Sequence, residues 1–77
     1  MQLTYDQVAD AIYVYFSQEP VARTTEVQDG VAVDYDQAGQ PVGVEFLDVS
    51  QGIDLRGVPR STEIANLLEA YPFPVFA

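Results

Sequence analysis

The stretch "DGVAVDYDQAGQPVGVEFLD", residues 29–48, decides the fold because it contains two alternating apolar segments around a polar loop. Alternation with a period of two predicts β-strands, and the glycine and proline between them predict a hairpin. If the loop has an even number of residues, Tyr35 lies opposite Val42, and Val33 lies opposite Val44, all on one apolar face. A slip of one residue would move every side chain to the other face, so we predict the even register.

The preceding segment, "VARTTEV" at residues 21–27, predicts a further strand that enters this hairpin through a turn at Gly30. A two-residue turn formed by the DG pair alone would turn Val27 to the polar face. A three-residue loop with a left-handed glycine instead pairs Val27 with Val31. We predict the three-residue loop because it keeps Val27 on the apolar face.

The N-terminal stretch "YDQVADAIYVYFS", residues 5–17, predicts a turn between the first two strands. A loop across the two aspartates sets Tyr5 opposite Ile12, on the same apolar face. Asp6 is suited to accept backbone hydrogen bonds in an Asx-type turn, and Asp10 is suited to close the turn. We therefore interpret both aspartates as turn residues rather than as catalytic groups or metal ligands.

The pattern changes after residue 48. Residues 49–58 predict a connector, and residues 59–71 carry apolar side chains at helical spacing, with Pro59 suited to a first helical turn and Pro72 ending the helix. Residues 72–77 form an apolar tail that packs either on its own core or against another chain. The helical stripe consists of Ile64, Leu67, Leu68 and Tyr71.

The predicted fold is a single α+β domain over residues 1–77. It is a five-stranded antiparallel β-meander over residues 1–48, with one C-terminal α-helix packed on one face. The chain has 77 residues and no cysteine, so its core is small and no disulfide can stabilise it. We therefore expect it to form a homo-oligomer, with a dimer as the first expectation.

Composition excludes several classes of function. The chain has 12 acidic and three basic residues, a net charge of -9, and no histidine, cysteine or lysine. Nucleic acid and anionic membranes are therefore poor partners, and a basic protein is a better one. The usual general base, thiol nucleophile and Schiff-base amine are missing, so we expect no enzyme and no catalytic residue, with a carboxylate-only hydrolase as a remote alternative.

Location is predicted from three absences in the sequence. The apolar runs are too short to span a membrane, since about 20 residues are needed. The start of the chain lacks the pattern of a secretory signal, and cysteine is absent. We expect a soluble, cytoplasmic protein.

The polar face of the predicted sheet carries a possible metal site. On the predicted register Glu26, Asp34 and Glu45 converge on one patch, where carboxylate oxygens suit Mg²⁺ or Ca²⁺. The plainer interpretation is a solvated face of a very acidic protein. We expect no cofactor, and we keep divalent-metal binding as the alternative function.

Aromatic side chains mark the candidate interfaces of a protein-interaction or self-association module. Paired aromatics on a polar sheet face are common interface anchors, although they could instead cover the connector. Arg56 and Arg60 are expected to pair with carboxylates, the candidates being Asp54, Glu63 and Asp48. The candidate interface residues are Tyr13 and Tyr15 on the outward face, Tyr71 at the end of the predicted helix, and Phe73, Val75 and Phe76 in the tail.

Several short motifs occur in an order that resembles the family called domain of unknown function 2283, small bacterial and archaeal proteins. The similarity covers residues 3–50 and includes Tyr5-Asp6, Ala9-Asp10-Ala11, Tyr13, Asp29-Gly30, Asp34-Tyr35-Asp36, Gly39, Gly43 and Glu45. The resemblance implies a β-rich meander with a helix. It brings no established activity, and so it implies no catalytic residue.

Overall fold

The computed structural model describes residues 1–77 and contains one main sheet, one short helix and a small second sheet. The main sheet has five strands, and the second sheet has two. No helix has the length and apolar character needed to cross a membrane. The elements in chain order are β1 (Gln2–Asp6), β2 (Ala11–Tyr15), β3 (Arg23–Gln28), β4 (Val31–Tyr35), β5 (Pro41–Leu47), a 3-10 turn (Val49–Gln51), β6 (Ile53–Asp54), α1 (Ser61–Leu68) and β7 (Val75–Phe76).

The main sheet confirms the predicted α+β class, with five antiparallel strands and one helix towards the C-terminus. Its strand order is β1-β2-β5-β4-β3, so β5 lies beside β2 where a strict meander would place β3. The sequences of the strands account for this order. β5 contributes the buried Val44 and Phe46 to the centre of the sheet, whereas β3 reads RTTEVQ and is mostly exposed, as suits an edge strand.

The register in the middle of the β4–β5 hairpin is the predicted one, because Val33 lies opposite Val44. Nearer the turn the prediction is wrong, since Tyr35 lies opposite Pro41 and Val42 is the extra residue of a β-bulge. The loop itself explains the difference. Asp36 and Gln40 are joined by backbone and side-chain hydrogen bonds of 2.9 Å, which leaves an odd, three-residue tip, and the bulge restores the apolar face.

The β3–β4 hairpin likewise combines a turn that its local residues favour with a β-bulge that restores the apolar register. Gln28 pairs with Val31, so Asp29 and Gly30 alone form the turn, and the predicted pairing of Val27 with Val31 is wrong. Gly30 has a φ of 76°, which suits glycine. Val27 becomes the extra residue of a bulge and still packs against the core.

One contiguous apolar core lies between the sheet, the connector and the helix. Part of the core was not predicted, because the connector at residues 49–58 supplies four of its 12 buried members. The helix is also shorter than the predicted residues 59–71, since it begins at Ser61 and ends at Leu68. The core members are Ile12, Val14, Val31, Val33, Val44 and Phe46 from the sheet, Val49, Ile53, Leu55 and Val58 from the connector, and Ile64 and Leu68 from the helix.

The C-terminal tail packs on its own chain. β7 runs parallel to β6, and the backbone N–H groups of Ile53 and Leu55 donate to carbonyls of the tail over 2.7 Å. Phe73 packs against the core, whereas Phe76 remains 55% exposed. Of the two predicted positions for the tail, packing on its own chain is the one observed, with an apolar remainder at the surface.

Candidate interaction face

The sheet has one covered face and one open face. Ile64 and Leu68 of the helix share the core with the inward side chains of the strands. The alternate side chains point to the opposite side, which we call the outward face. The outward face comprises Tyr13 and Tyr15 on β2, Glu45 and Leu47 on β5, Ala32 and Asp34 on β4, and Thr24 and Glu26 on β3, with Gly43 beneath them.

A hydrogen-bonded row crosses the outward face from β2 to β3. The Tyr13 hydroxyl donates to one carboxylate oxygen of Asp34 over 2.5 Å, and the Thr24 hydroxyl donates to the other over 2.5 Å. The Tyr13 ring reaches Asp34 by lying directly over Gly43. A Cβ atom at Gly43 would stand 2.6 Å from two carbon atoms of that ring, which is well inside normal contact. Gly43 is therefore required by close approach of the ring.

The row fixes the protonation state of Tyr13. Burial raises the pKa of this phenol well above its ordinary value of 10.0, and the hydrogen bond to Asp34 and the negative charges of Asp34 and Glu45 raise it further. The hydroxyl therefore stays protonated, and remains a donor, to a higher pH than that of an ordinary tyrosine. Tyr13 is held in place as a fixed part of the surface.

The three carboxylates proposed as metal ligands occupy adjacent rows of the outward face. Glu26 and Glu45 lie opposite the same residue, Ala32, from its two sides, so their backbones are two strand spacings apart, roughly 10 Å. Asp34 accepts hydrogen bonds from two hydroxyl groups. No group of three or more acidic, histidine or cysteine side chains lies close enough to hold a metal ion. Binding of Mg²⁺ or Ca²⁺ here stays a prediction, which calorimetric titration with each ion would test.

Two shallow depressions flank Tyr13 on the outward face. The first, of about 340 Å³, contains the Tyr13 and Tyr15 rings, whose centroids are 4.5 Å apart, and the side chains of Val21 and Val42. We call it the Tyr15 depression. The second, of about 250 Å³, lies on the other side of Tyr13 and includes Asp6, Ala11, Glu45 and Leu47. We call it the Asp6 depression.

Val42 departs from the predicted pattern in a way that shapes the first depression. Its side chain was predicted on the apolar core face with Tyr35 and Val44. It is buried, with 3% exposure, but it lies outside the core cluster and lines the Tyr15 depression instead. The bulge in β5 accounts for the change, because an extra residue interrupts the alternation of side chains.

The arginines are engaged away from the outward face. Arg56 pairs with Asp54 and Arg60 pairs with Glu63, each over 2.6 Å, so two of the expected ion pairs are confirmed. Hydrogen bonds from Arg56 hold the pKa of Asp54 well below its usual range. The third arginine, Arg23, stacks over the Tyr35 ring at 4.5 Å. The outward face therefore carries carboxylates and no basic side chain.

The two aspartates of the first hairpin have different roles. One carboxylate oxygen of Asp6 accepts hydrogen bonds of 3.0 Å from the backbone N–H groups of Val8 and Ala9, which confirms the predicted Asx-type turn. Asp10 instead accepts from the backbone N–H and the hydroxyl of Ser50, at 3.0 and 2.6 Å. Asp10 thus ties the hairpin to the 3-10 turn after β5.

Sequence reasoning missed the partners of Asp10 and of Tyr13. Ser50 lies 40 positions from Asp10, and no local pattern connects the two residues. Gly43 carried a usable signal, because a glycine inside a strand suggests close approach of another group. Of the predicted interface residues near the C-terminus, Tyr71 and Phe73 lie next to β1, where Tyr5 makes edge contacts with them at 5.9 Å and 5.3 Å, whereas Val75 and Phe76 pair with β6. Their role at an interface with another chain stays a prediction.

The fold and this face define a class, a small α+β domain with one face of its sheet covered and the other open. The chain belongs to the family described as "Protein of unknown function (DUF2283)", whose model matches residues 2–50. That range contains the whole main sheet and confirms the resemblance seen in the sequence, whereas β6, α1 and β7 lie beyond it. No curated protein and no solved structure matches the chain.

Proposed function

We propose that this protein is a non-catalytic protein-interaction module whose outward face binds a basic partner protein. The observation that carries the proposal is the composition of that face. It has a tyrosine pair on β2, and every charged side chain on it is a carboxylate. Aromatic side chains are enriched among the residues that dominate binding energy at interfaces, and they attract cations through their ring faces.

The charge of the whole chain supports the same partner class. At a net charge of -9, long-range attraction raises the rate of encounter with a basic surface and opposes encounter with acidic ones. None of the three arginines is engaged on the outward face, since two pair with Asp54 and Glu63 and the third lies over the Tyr35 ring.

The chemistry of the polar row supports binding rather than catalysis. Asp34 already receives two hydroxyl hydrogen bonds, and the phenol of Tyr13 is held in its neutral form. The histidine, cysteine and lysine side chains that most often act as general bases or nucleophiles do not occur in the chain.

A titration with a defined cationic probe tests the proposal. The probe is acetyl-hexalysine amide, added to ¹⁵N-labelled protein at low salt, and the readout is the change in amide chemical shifts. We expect the changes to concentrate on β2, β4 and β5. Glu45→Gln should weaken binding more than Glu69→Gln, which removes the same charge on the helix side of the molecule. Changes centred on α1, or equal weakening by both variants, would reject the outward face as the binding surface.

Self-association is a second candidate function, and two structural features favour it. The edge strands β1 and β3 each have a neighbour on one side only, and unpaired edges promote pairing with another chain. Phe76 is 55% exposed. Light scattering at micromolar concentration and two salt levels tests this candidate. A salt-insensitive dimer supports it, and a monomer under both conditions rejects it.

A further inference from the structure

If the outward face binds a basic partner, as proposed above, its two depressions indicate which kind of partner segment binds there. We propose that the partner binds as an extended chain that crosses Tyr13, placing an apolar side chain in the Tyr15 depression and a cationic side chain in the Asp6 depression. The inference rests on the position, chemical lining and spacing of the two depressions.

The two depressions lie on either side of Tyr13. Tyr13 lines both depressions, so they are neighbours on the outward face. The ring is fixed by its hydrogen bond to Asp34 and by its packing over Gly43. A ligand that fills both depressions must therefore pass over Tyr13, which supplies a rigid aromatic surface between them. Rigid aromatic anchors lose little conformational entropy on binding.

The chemical lining differs between the two depressions and gives them different occupants. In the first, Tyr15, Val21 and Val42 supply apolar surface beside a single carboxylate, Glu19, and Val21 is 52% exposed. The second has two carboxylates, Asp6 and Glu45, beside the exposed side chain of Leu47. A lysine or arginine can lay its aliphatic stem on such a leucine while its charged end meets the carboxylates.

Spacing selects an extended chain. The depressions follow β2, with Tyr15 at one end and Ala11 at the other, four residues apart. Four residues of strand span roughly 13 Å. In an extended ligand the side chains at positions i and i+4 point the same way at about this distance, whereas those at i and i+3 point to opposite sides. The partner sequence is therefore expected to place its apolar and cationic residues four positions apart.

The test uses two peptides of identical composition. Acetyl-Leu-Thr-Ser-Thr-Arg-amide has the i, i+4 spacing, and acetyl-Leu-Thr-Ser-Arg-Thr-amide has the i, i+3 spacing. Affinities are measured by chemical-shift titration of the labelled protein. We expect the first peptide to bind about tenfold more tightly, a difference of about 1.4 kcal/mol. Equal affinities, or tighter binding of the second peptide, would overturn the inference.

Two matched variants assign the cationic position. Glu45→Gln should remove most of the preference for the first peptide, because Glu45 lines the Asp6 depression. Glu26→Gln removes the same charge from the same face but lies outside both depressions, so it should preserve the preference. Equal effects of the two variants would show general charge attraction and would overturn the assignment.

The result separates this inference from the proposed function. If hexalysine perturbs the outward face but the two peptides bind equally, the binding face stands and the two-site arrangement fails. If neither hexalysine nor the peptides perturb the outward face, both fail.

Discussion

Asp10 joins two distant parts of the chain while its own backbone is in an unfavourable conformation. Its φ is 55°, a region that few residues with a β-carbon adopt apart from Asn and Asp, and its carboxylate holds both the backbone and the side chain of Ser50. The left-handed backbone of Asp10 ends the turn between β1 and β2, and its carboxylate connects that turn to the 3-10 turn after β5.

Substitutions at Asp10 should separate the hydrogen bonds from the backbone conformation. Asp10→Ala loses both hydrogen bonds and adds backbone strain, so we expect a loss of about 2–3 kcal/mol of unfolding free energy. Asp10→Asn tolerates the conformation and can still accept from the Ser50 N–H, so its cost should stay below about 1 kcal/mol. Urea denaturation measures both. Equal costs for Ala and Asn would contradict the role assigned to Asp10.

Gly43 and Tyr13 form the second residue-scale pair. Gly43→Ala should destabilise the protein by about 1–3 kcal/mol, because the new methyl group overlaps the Tyr13 ring and forces it away from Asp34. In a Tyr13→Ala background the same substitution should cost less than about 1 kcal/mol, since the overlap is gone. The double-mutant cycle is measured by chemical denaturation. Identical costs in both backgrounds would show that Gly43 is needed for another reason.

Because the pKa of Tyr13 is raised in the folded protein, the unfolding free energy should fall at alkaline pH. Because the folded protein holds this proton more tightly than the unfolded chain, the contribution is complete below the unfolded pKa of 10.0 and is lost as pH rises above it. The difference in unfolding free energy between wild type and Tyr13→Phe should therefore stay constant below pH 10.0 and shrink progressively as the pH rises above that value. A constant difference above that value would contradict the assigned burial of the phenol.

At the scale of elements, the β3–β4 and β4–β5 hairpins each combine a locally favoured turn with a register that keeps the apolar side chains on one face. In each one the turn adopts the conformation that its local residues favour, and a bulge next to it brings the remaining pairs back to the apolar register. Val27 and Val42 are the residues displaced in this way. The displacement of Val42 has a consequence for the surface, since it lines the Tyr15 depression.

The tail contributes to stability through one aromatic residue and leaves another exposed. Phe73 packs against the core and against Tyr5, so Phe73→Ala should cost about 2 kcal/mol. Phe76 is 55% exposed, so Phe76→Ala should cost less than about 1 kcal/mol. Thermal and urea denaturation test the pair.

The same two variants test the self-association candidate. If the protein dimerises through its tail, Phe76→Ala should lower the solution mass while the monomer remains folded. A larger stability loss for Phe76→Ala than for Phe73→Ala would contradict the assignment of the two residues.

At the scale of the whole molecule, negative charge is distributed over a small domain and opposes its compact state. With a net charge of -9 at pH 7, repulsion between carboxylates is greater in the folded chain than in the expanded one. The two ion pairs are exposed and offset little of this repulsion. The acidic surface therefore lowers the stability of the folded chain.

Salt should stabilise the protein by screening this repulsion. Raising NaCl from about 10 mM to 0.5 M shortens the screening length several-fold. A gain of about 1 kcal/mol would raise the melting temperature by about 4–8 °C for a domain of this size. The variant with Glu26→Gln and Glu69→Gln should respond less than wild type. A melting temperature that falls with salt would show that attractive ion pairs dominate instead.

The sequence by itself determined the five strands of the main sheet, the faces of that sheet and several of its cross-strand pairs. Val33 opposite Val44 and Tyr5 opposite Ile12 follow from alternation alone, because a slip of one residue would expose an entire apolar face. The sequence also placed Tyr13 and Asp34 on one face, and its motifs identified the family.

Only the tertiary structure decided how the pieces meet. It inserted β5 between β2 and β4, brought connector residues such as Val49 and Ile53 into the core, and set the tail beside β6. It also joined Asp10 to Ser50 and laid Tyr13 over Gly43. Local alternation specifies which way a side chain points, but contacts between distant segments depend on the packing of the whole chain, which no local pattern records.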